Sequence, residues 1–93
     1  MPYIKQENRK KFDDLIIPLA DELETNGDLN YCIYQLCKLW LTYREVSYDS
    51  LSDCIKTLEC AKLEFYRMIL EPYEDQKIKE NGNVTPIFDF EKE

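Results

Sequence analysis

The sequence predicts an all-α fold, a three-helix antiparallel bundle-like domain with a long third helix broken near Pro72 and a short extended C-terminal tail. Three observations carry this. Apolar residues recur at helical spacing through most of the chain, the pattern of helices with a face turned inward. The only two glycines, Gly27 and Gly82, fall where that pattern pauses. At 93 residues there is length for one core and no room for a second.

The first helix is expected over about 6–25. Phe12, Leu15, Ile16, Leu19, Ala20 and Leu23 form its apolar stripe, and Tyr3 and Ile4 can pack back on its start as a staple. Pro18 removes a backbone donor and crowds the preceding turn. The stripe keeps its phase across Pro18, so a kink is expected there. Asn26-Gly27 should end the helix, with Gly27 in the left-handed cap position.

Asp28 is the expected N-cap of a second helix over about 29–44. Leu29, Ile33, Leu36, Cys37 and Trp40 form one face. Tyr31, Cys32, Tyr34, Leu39, Leu41 and Tyr43 carry apolar surface around most of the remainder. A helix apolar nearly all round is buried on several sides. Two neighbouring helices in so short a chain cannot cover it. A third helix, capped by Ser47 or Ser50, should run over about 51–81, with Leu51, Cys54, Ile55, Leu58, Ala61, Phe65, Met68 and Ile69 as its stripe. Leu63, Tyr66 and Leu70 widen that stripe. Together these surpluses predict a symmetric homo-oligomer, most simply a dimer, with Leu36, Trp40, Leu41 and Leu63 at its interface. The tail, 83–93, is expected to be extended and to offer Ile87, Phe88 and Phe90 to a neighbouring surface.

Charge and composition exclude several functions. The net charge is −7, from 19 acidic and 12 basic side chains. Phosphate backbones and anionic membranes call for clustered Lys and Arg. The one basic run, Arg9-Lys10-Lys11, is followed at once by Asp13 and Asp14. Neither DNA nor membrane is an expected partner, and no apolar run is long enough to span a bilayer. The start lacks the apolar stretch of a secretory signal, so a cytoplasmic location is expected. Cys32, Cys37, Cys54 and Cys60 form no Cys-x-x-Cys, and the chain has no histidine. These thiols read as reduced, buried small hydrophobes, with no metal site expected. The missing histidine also removes the commonest general base.

Several stretches carry a resemblance. Met1-Pro2-Tyr3-Ile4, Gly27-Asp28-Leu29-Asn30-Tyr31, Leu58-Glu59-Cys60-Ala61-Lys62-Leu63-Glu64-Phe65-Tyr66-Arg67 and Pro72-Tyr73-Glu74-Asp75 are read together with Glu80-Asn81-Gly82. On these residues the chain resembles a family of small uncharacterised all-helical proteins found in bacteriophage and other prokaryotic genomes. The resemblance implies a helical fold and a phage or mobile-element setting. It supplies no activity, cofactor or catalytic residue.

Two constellations stand out. Arg9, Asn30, Tyr31, Tyr34, Glu59, Lys62, Tyr66 and Arg67 combine the aromatic and cationic groups that dominate interfaces and can stack a nucleotide. They point to a host-protein contact or to a small nucleotide ligand held between protomers. The carboxylate pairs Asp21/Glu24 and Glu71/Glu74 are three residues apart and suit Mg²⁺ in a helical nucleotide hydrolase. With 19 acidic residues such spacings also arise by chance, so a solvated face is the expectation for them and no enzyme is predicted. Replacing Leu36 or Trp40 by a charged residue is expected to cost assembly and fold together, read by native mass and circular dichroism. A folded variant of unchanged mass would remove these residues from the interface.

Overall fold

The structure is a computed structural model, and residues 2–84 are described. It is 81% helical, and the described residues contain no strand, so the fold class is all-α. The chain divides into two compact units, Met1–Ala61 and Lys62–Glu93.

In the first unit, a 3₁₀ turn at Gln6–Asn8 leads into α1, Lys10–Glu22. Arg9 joins them, and its Nε donates to the Ile4 carbonyl at 2.9 Å, which ties down the incoming strand of chain. α1 ends earlier than expected. Leu23 turns extended (φ −80°, ψ 120°), although its N–H still reaches the Ala20 carbonyl at 3.1 Å. Pro18 lies inside α1 without dividing it, as the unbroken phase of the stripe implies.

The next helix, α2, runs Asn26–Thr42 and corrects the assignment of its caps. Gly27 does not end α1. It sits in the first turn of α2, and among the described residues only Gly82 has a positive φ. The N-cap is Thr25 (φ −126°, ψ 163°), and Asp28 stands three residues inside the helix. The Thr25 hydroxyl accepts the Asp28 N–H at 3.1 Å. Asp28 Oδ2 accepts the N–H groups of Glu24 at 3.0 Å and Thr25 at 3.2 Å. This reciprocal box satisfies donors that a helix start otherwise leaves unpaired, so α2 begins three residues before the apolar pattern does. The same device opens α3, Tyr48–Phe65, ahead of the expected Leu51. Ser47 Oγ accepts the Ser50 N–H at 3.2 Å, and Ser50 Oγ accepts the Ser47 N–H at 2.9 Å.

Beyond Phe65 the backbone stays helical. A π-helical turn, Tyr66–Leu70, is followed by α4, Glu71–Asn81, so the third helical stretch is 34 residues long. The break foreseen at Pro72 takes this milder form. A proline ring crowds the carbonyl four residues back and offers it no donor. One wider turn answers both problems, and the Glu71 N–H donates to the Tyr66 carbonyl, five residues back. Gly82 (φ 83°) ends α4, its N–H reaching the Ile78 carbonyl at 2.8 Å. Ile87, Phe88 and Phe90 lie outside the described residues.

No described residue is buried. Among the large apolar side chains only Leu23 and Leu41 are even half-buried, and the rest range from 38% exposed at Trp40 to 84% at Tyr43.

The Thr25–Asp28 box makes a direct prediction. Thr25→Ala should destabilise the helix start by about 1 kcal/mol. The backbone N–H groups of Glu24 and Thr25, with the Thr25 hydroxyl, hold the Asp28 carboxyl below its usual value. A carboxyl lowered on folding stabilises fully above its unfolded value of about 4, and that contribution is lost as pH falls through the lowered folded value. Thermal unfolding followed from neutral pH into acid should show this loss in the native chain and not in Asp28→Asn.

Candidate functional site: apolar grooves along α2

The site is built by α2. Its sequence, Asn-Gly-Asp-Leu-Asn-Tyr-Cys-Ile-Tyr-Gln-Leu-Cys-Lys-Leu-Trp-Leu-Thr, contains only Asp28 and Lys38 as charged residues. At about 100° per residue, the arc from Leu39 through Leu36, Trp40, Ile33 and Leu41 to Tyr34 covers more than half the circumference. Two open grooves run along this arc, both lined by residues of α2 and α3 and one of them also by Phe12 of α1.

The first groove, about 520 Å³, is lined from α2 by Asn30, Ile33, Tyr34, Cys37, Lys38, Leu41 and Thr42. Val46 adds to it from the connection, and Cys54, Ile55 and Leu58 from α3. The second, about 640 Å³, is lined by Phe12 of α1, by Ile33, Leu36, Cys37, Leu39 and Trp40 of α2, by Tyr43 and Arg44, and by Cys54, Thr57, Leu58 and Ala61 of α3. Ile33, Cys37, Cys54 and Leu58 belong to both and form the ridge between them.

Electrostatics at the grooves is sparse. Arg44 lies over the Trp40 ring at 4.0 Å from its centroid and donates to the Trp40 carbonyl, pinning the indole at the end of α2. All four cysteines are free thiols. Partial burial, followed by a hydrogen bond and the charge interaction with Cys54, pushes the Cys37 thiol above its usual value.

The structure brings some of the sequence candidates together. Asn30 and Tyr34 line the first groove with Leu41, and Leu36 and Trp40 line the second. Tyr31 is 64% exposed and, like Glu59, lines neither groove. Arg9 serves the Ile4 carbonyl. Lys62, Leu63, Tyr66 and Arg67 belong to the second unit. There the Tyr66 hydroxyl donates to Glu74 at 3.1 Å, which pushes that phenol up, and Arg67 pairs with Glu64 at 2.6 Å. Sequence reasoning missed the Cys37–Cys54 neighbours, Val46 and Arg44. The last was legible, since Arg44 follows Trp40 at one helical turn.

The carboxylate pairs fare differently. α1 stops at Glu22, so Glu24 is off the helix that was to align it with Asp21. Glu71 and Glu74 do share the first turn of α4. Among the described residues no three or more His, Cys, Asp or Glu side chains gather where they could hold a metal ion. No helix among them is long and apolar enough to cross a membrane.

Helices whose apolar side chains line open grooves define a small all-α protein. A family model described as a domain of unknown function (DUF6899) matches residues 1–84, and the chain belongs to that family. No curated protein and no solved structure matches it.

Thiol reactivity tests this placement. Cys60 is exposed, whereas Cys37 is half-buried with a raised pKa. Only the thiolate reacts, so under limiting iodoacetamide near pH 8 Cys60 should alkylate first and Cys37 several-fold more slowly. Equal rates, read by peptide mass mapping, would contradict the ridge geometry.

Proposed function

We propose that the protein acts by binding and not by catalysis: a small phage-type accessory or inhibitor protein, a cytoplasmic homo-oligomer that docks on a host protein. One observation carries this reading. The apolar surface that a domain of this size needs to bury stays open along α2, and no described residue is buried. Exposed apolar surface on this scale marks an interaction site. Tyrosine is a favoured interface anchor, and Tyr34, Tyr43 and Tyr48 are 67%, 84% and 83% exposed. The phage setting rests on the family resemblance of the sequence motifs.

A second reading has its own support. In the first groove the Tyr34 ring, the Asn30 amide and the Lys38 ammonium stand on one wall. An aromatic platform beside an amide and a cation suits a nucleotide, so an oligomer that sequesters a nucleotide signal is the alternative.

Native mass of protein purified gently from producing cells separates these readings. Oligomers of bare chain mass are expected. Oligomers carrying an added small-molecule mass would favour the sequestering reading and reveal the ligand. A clean monomer would overturn self-association.

A further inference from the structure

We infer that α2 is the seam between two copies of this chain, with the second copy seated on the groove of Phe12, Leu36, Leu39 and Trp40 across a two-fold axis. This rests on the reading of the protein as a self-associating binder and states where the copies meet.

Charge selects the face. Each copy carries −7, so two copies repel unless they meet where charge is lowest. α1 holds Asp13, Asp14, Asp21 and Glu22 against Lys10 and Lys11. α3 holds four carboxylates against two lysines. α2 holds one of each sign over 17 residues. It is the strip along which two acidic copies touch without facing like charges.

Shape agrees with that choice. An isologous interface needs projection and recess on one patch. Leu36, 70% exposed, stands on the wall of the second groove, which the Cys37, Cys54 and Leu58 ridge bounds. Phe12, Leu36 and Leu39, 45%, 70% and 50% exposed, are the apolar side chains a second copy would cover there. Supply points the same way. With no described residue buried, the chain has apolar surface to cover from the moment it is made, and a second copy is always at hand.

Trp40 is the only tryptophan and reports on this face directly. Its quenching by acrylamide, a neutral probe that ignores the protein's charge, should be several-fold weaker in the full-length oligomer than for free indole. Leu36→Glu should give a monomer with red-shifted, readily quenched emission. Ile17→Glu, at a 61% exposed position outside both grooves, should keep the mass and emission of the native chain. Should Leu36→Glu fail to fold, quenching of the native oligomer decides alone. A native oligomer whose Trp40 is as accessible as free indole, or a folded Leu36→Glu of unchanged mass, overturns the seam and leaves self-association standing. A native monomer overturns both.

Discussion

Everything in this structure depends on where the apolar surface of α2 goes. Burying a large apolar side chain contributes about 1.5–3 kcal/mol, and ordering each backbone residue costs about 1–2 kcal/mol. A helical chain therefore persists only if most of its apolar residues leave water. Here they do not: Leu36 is 70% exposed and Trp40, the best covered of the large aromatics on α2, is still 38% exposed. Helices of 13 to 18 residues are marginal in isolation. On the proposed self-association, a second copy would take up the apolar surface that α1, α2 and α3 leave in water.

What the chain supplies by itself is local. The Thr25–Asp28 and Ser47–Ser50 boxes start α2 and α3 at defined residues. Lys10–Asp14, Glu64–Arg67 and Lys77–Glu80 are helix-surface pairs, each worth a few tenths of a kcal/mol. Such devices fix where helices begin and which residues share a face. They do not replace a core. The π-helical turn at Tyr66–Leu70 belongs with them, because it lets the backbone pass Pro72 while remaining helical and leaves the Tyr66 hydroxyl bonded to Glu74.

The fold class and the order of helices were legible because they rest on periodicity, which local sequence contains. The surplus on α2 was legible for the same reason: a helix with apolar residues from Leu39 round to Tyr34 can be recognised without coordinates. Boundaries were less so. Asn26-Gly27 looked like a stop because glycine favours left-handed caps, but the Thr25 hydroxyl and Asp28 carboxylate compete for the same backbone donors and begin a helix there. The lining of the grooves was partly legible. Asn30, Tyr34, Leu36, Trp40 and Leu41 do line the grooves. Arg9 lies outside the grooves and bonds the Ile4 carbonyl, a nearby partner that helical spacing does not reveal. The Cys37–Cys54 ridge depends on how α2 meets α3, which no spacing within one helix encodes.

The acidity of the chain fits this picture. A protein that exposes a long apolar strip is at risk of sticking to anything apolar, its own copies included, in any register. α1 and α3 each carry a net charge of −2 beside the neutral α2, and on the proposed reading that charge would oppose encounters other than strip to strip. Tyr34, Tyr43 and Tyr48 add surface that can engage a partner while keeping a hydroxyl in water. On the proposed reading the apolar face would supply affinity, and the carboxylates around it would restrict what can use that affinity. The one basic group on each groove, Lys38 in the first and Arg44 in the second, then stands where an approaching acidic surface would meet it. Local neutrality set in a repelling surround, with two cations at its rim, would on that reading favour selective pairing over indiscriminate association.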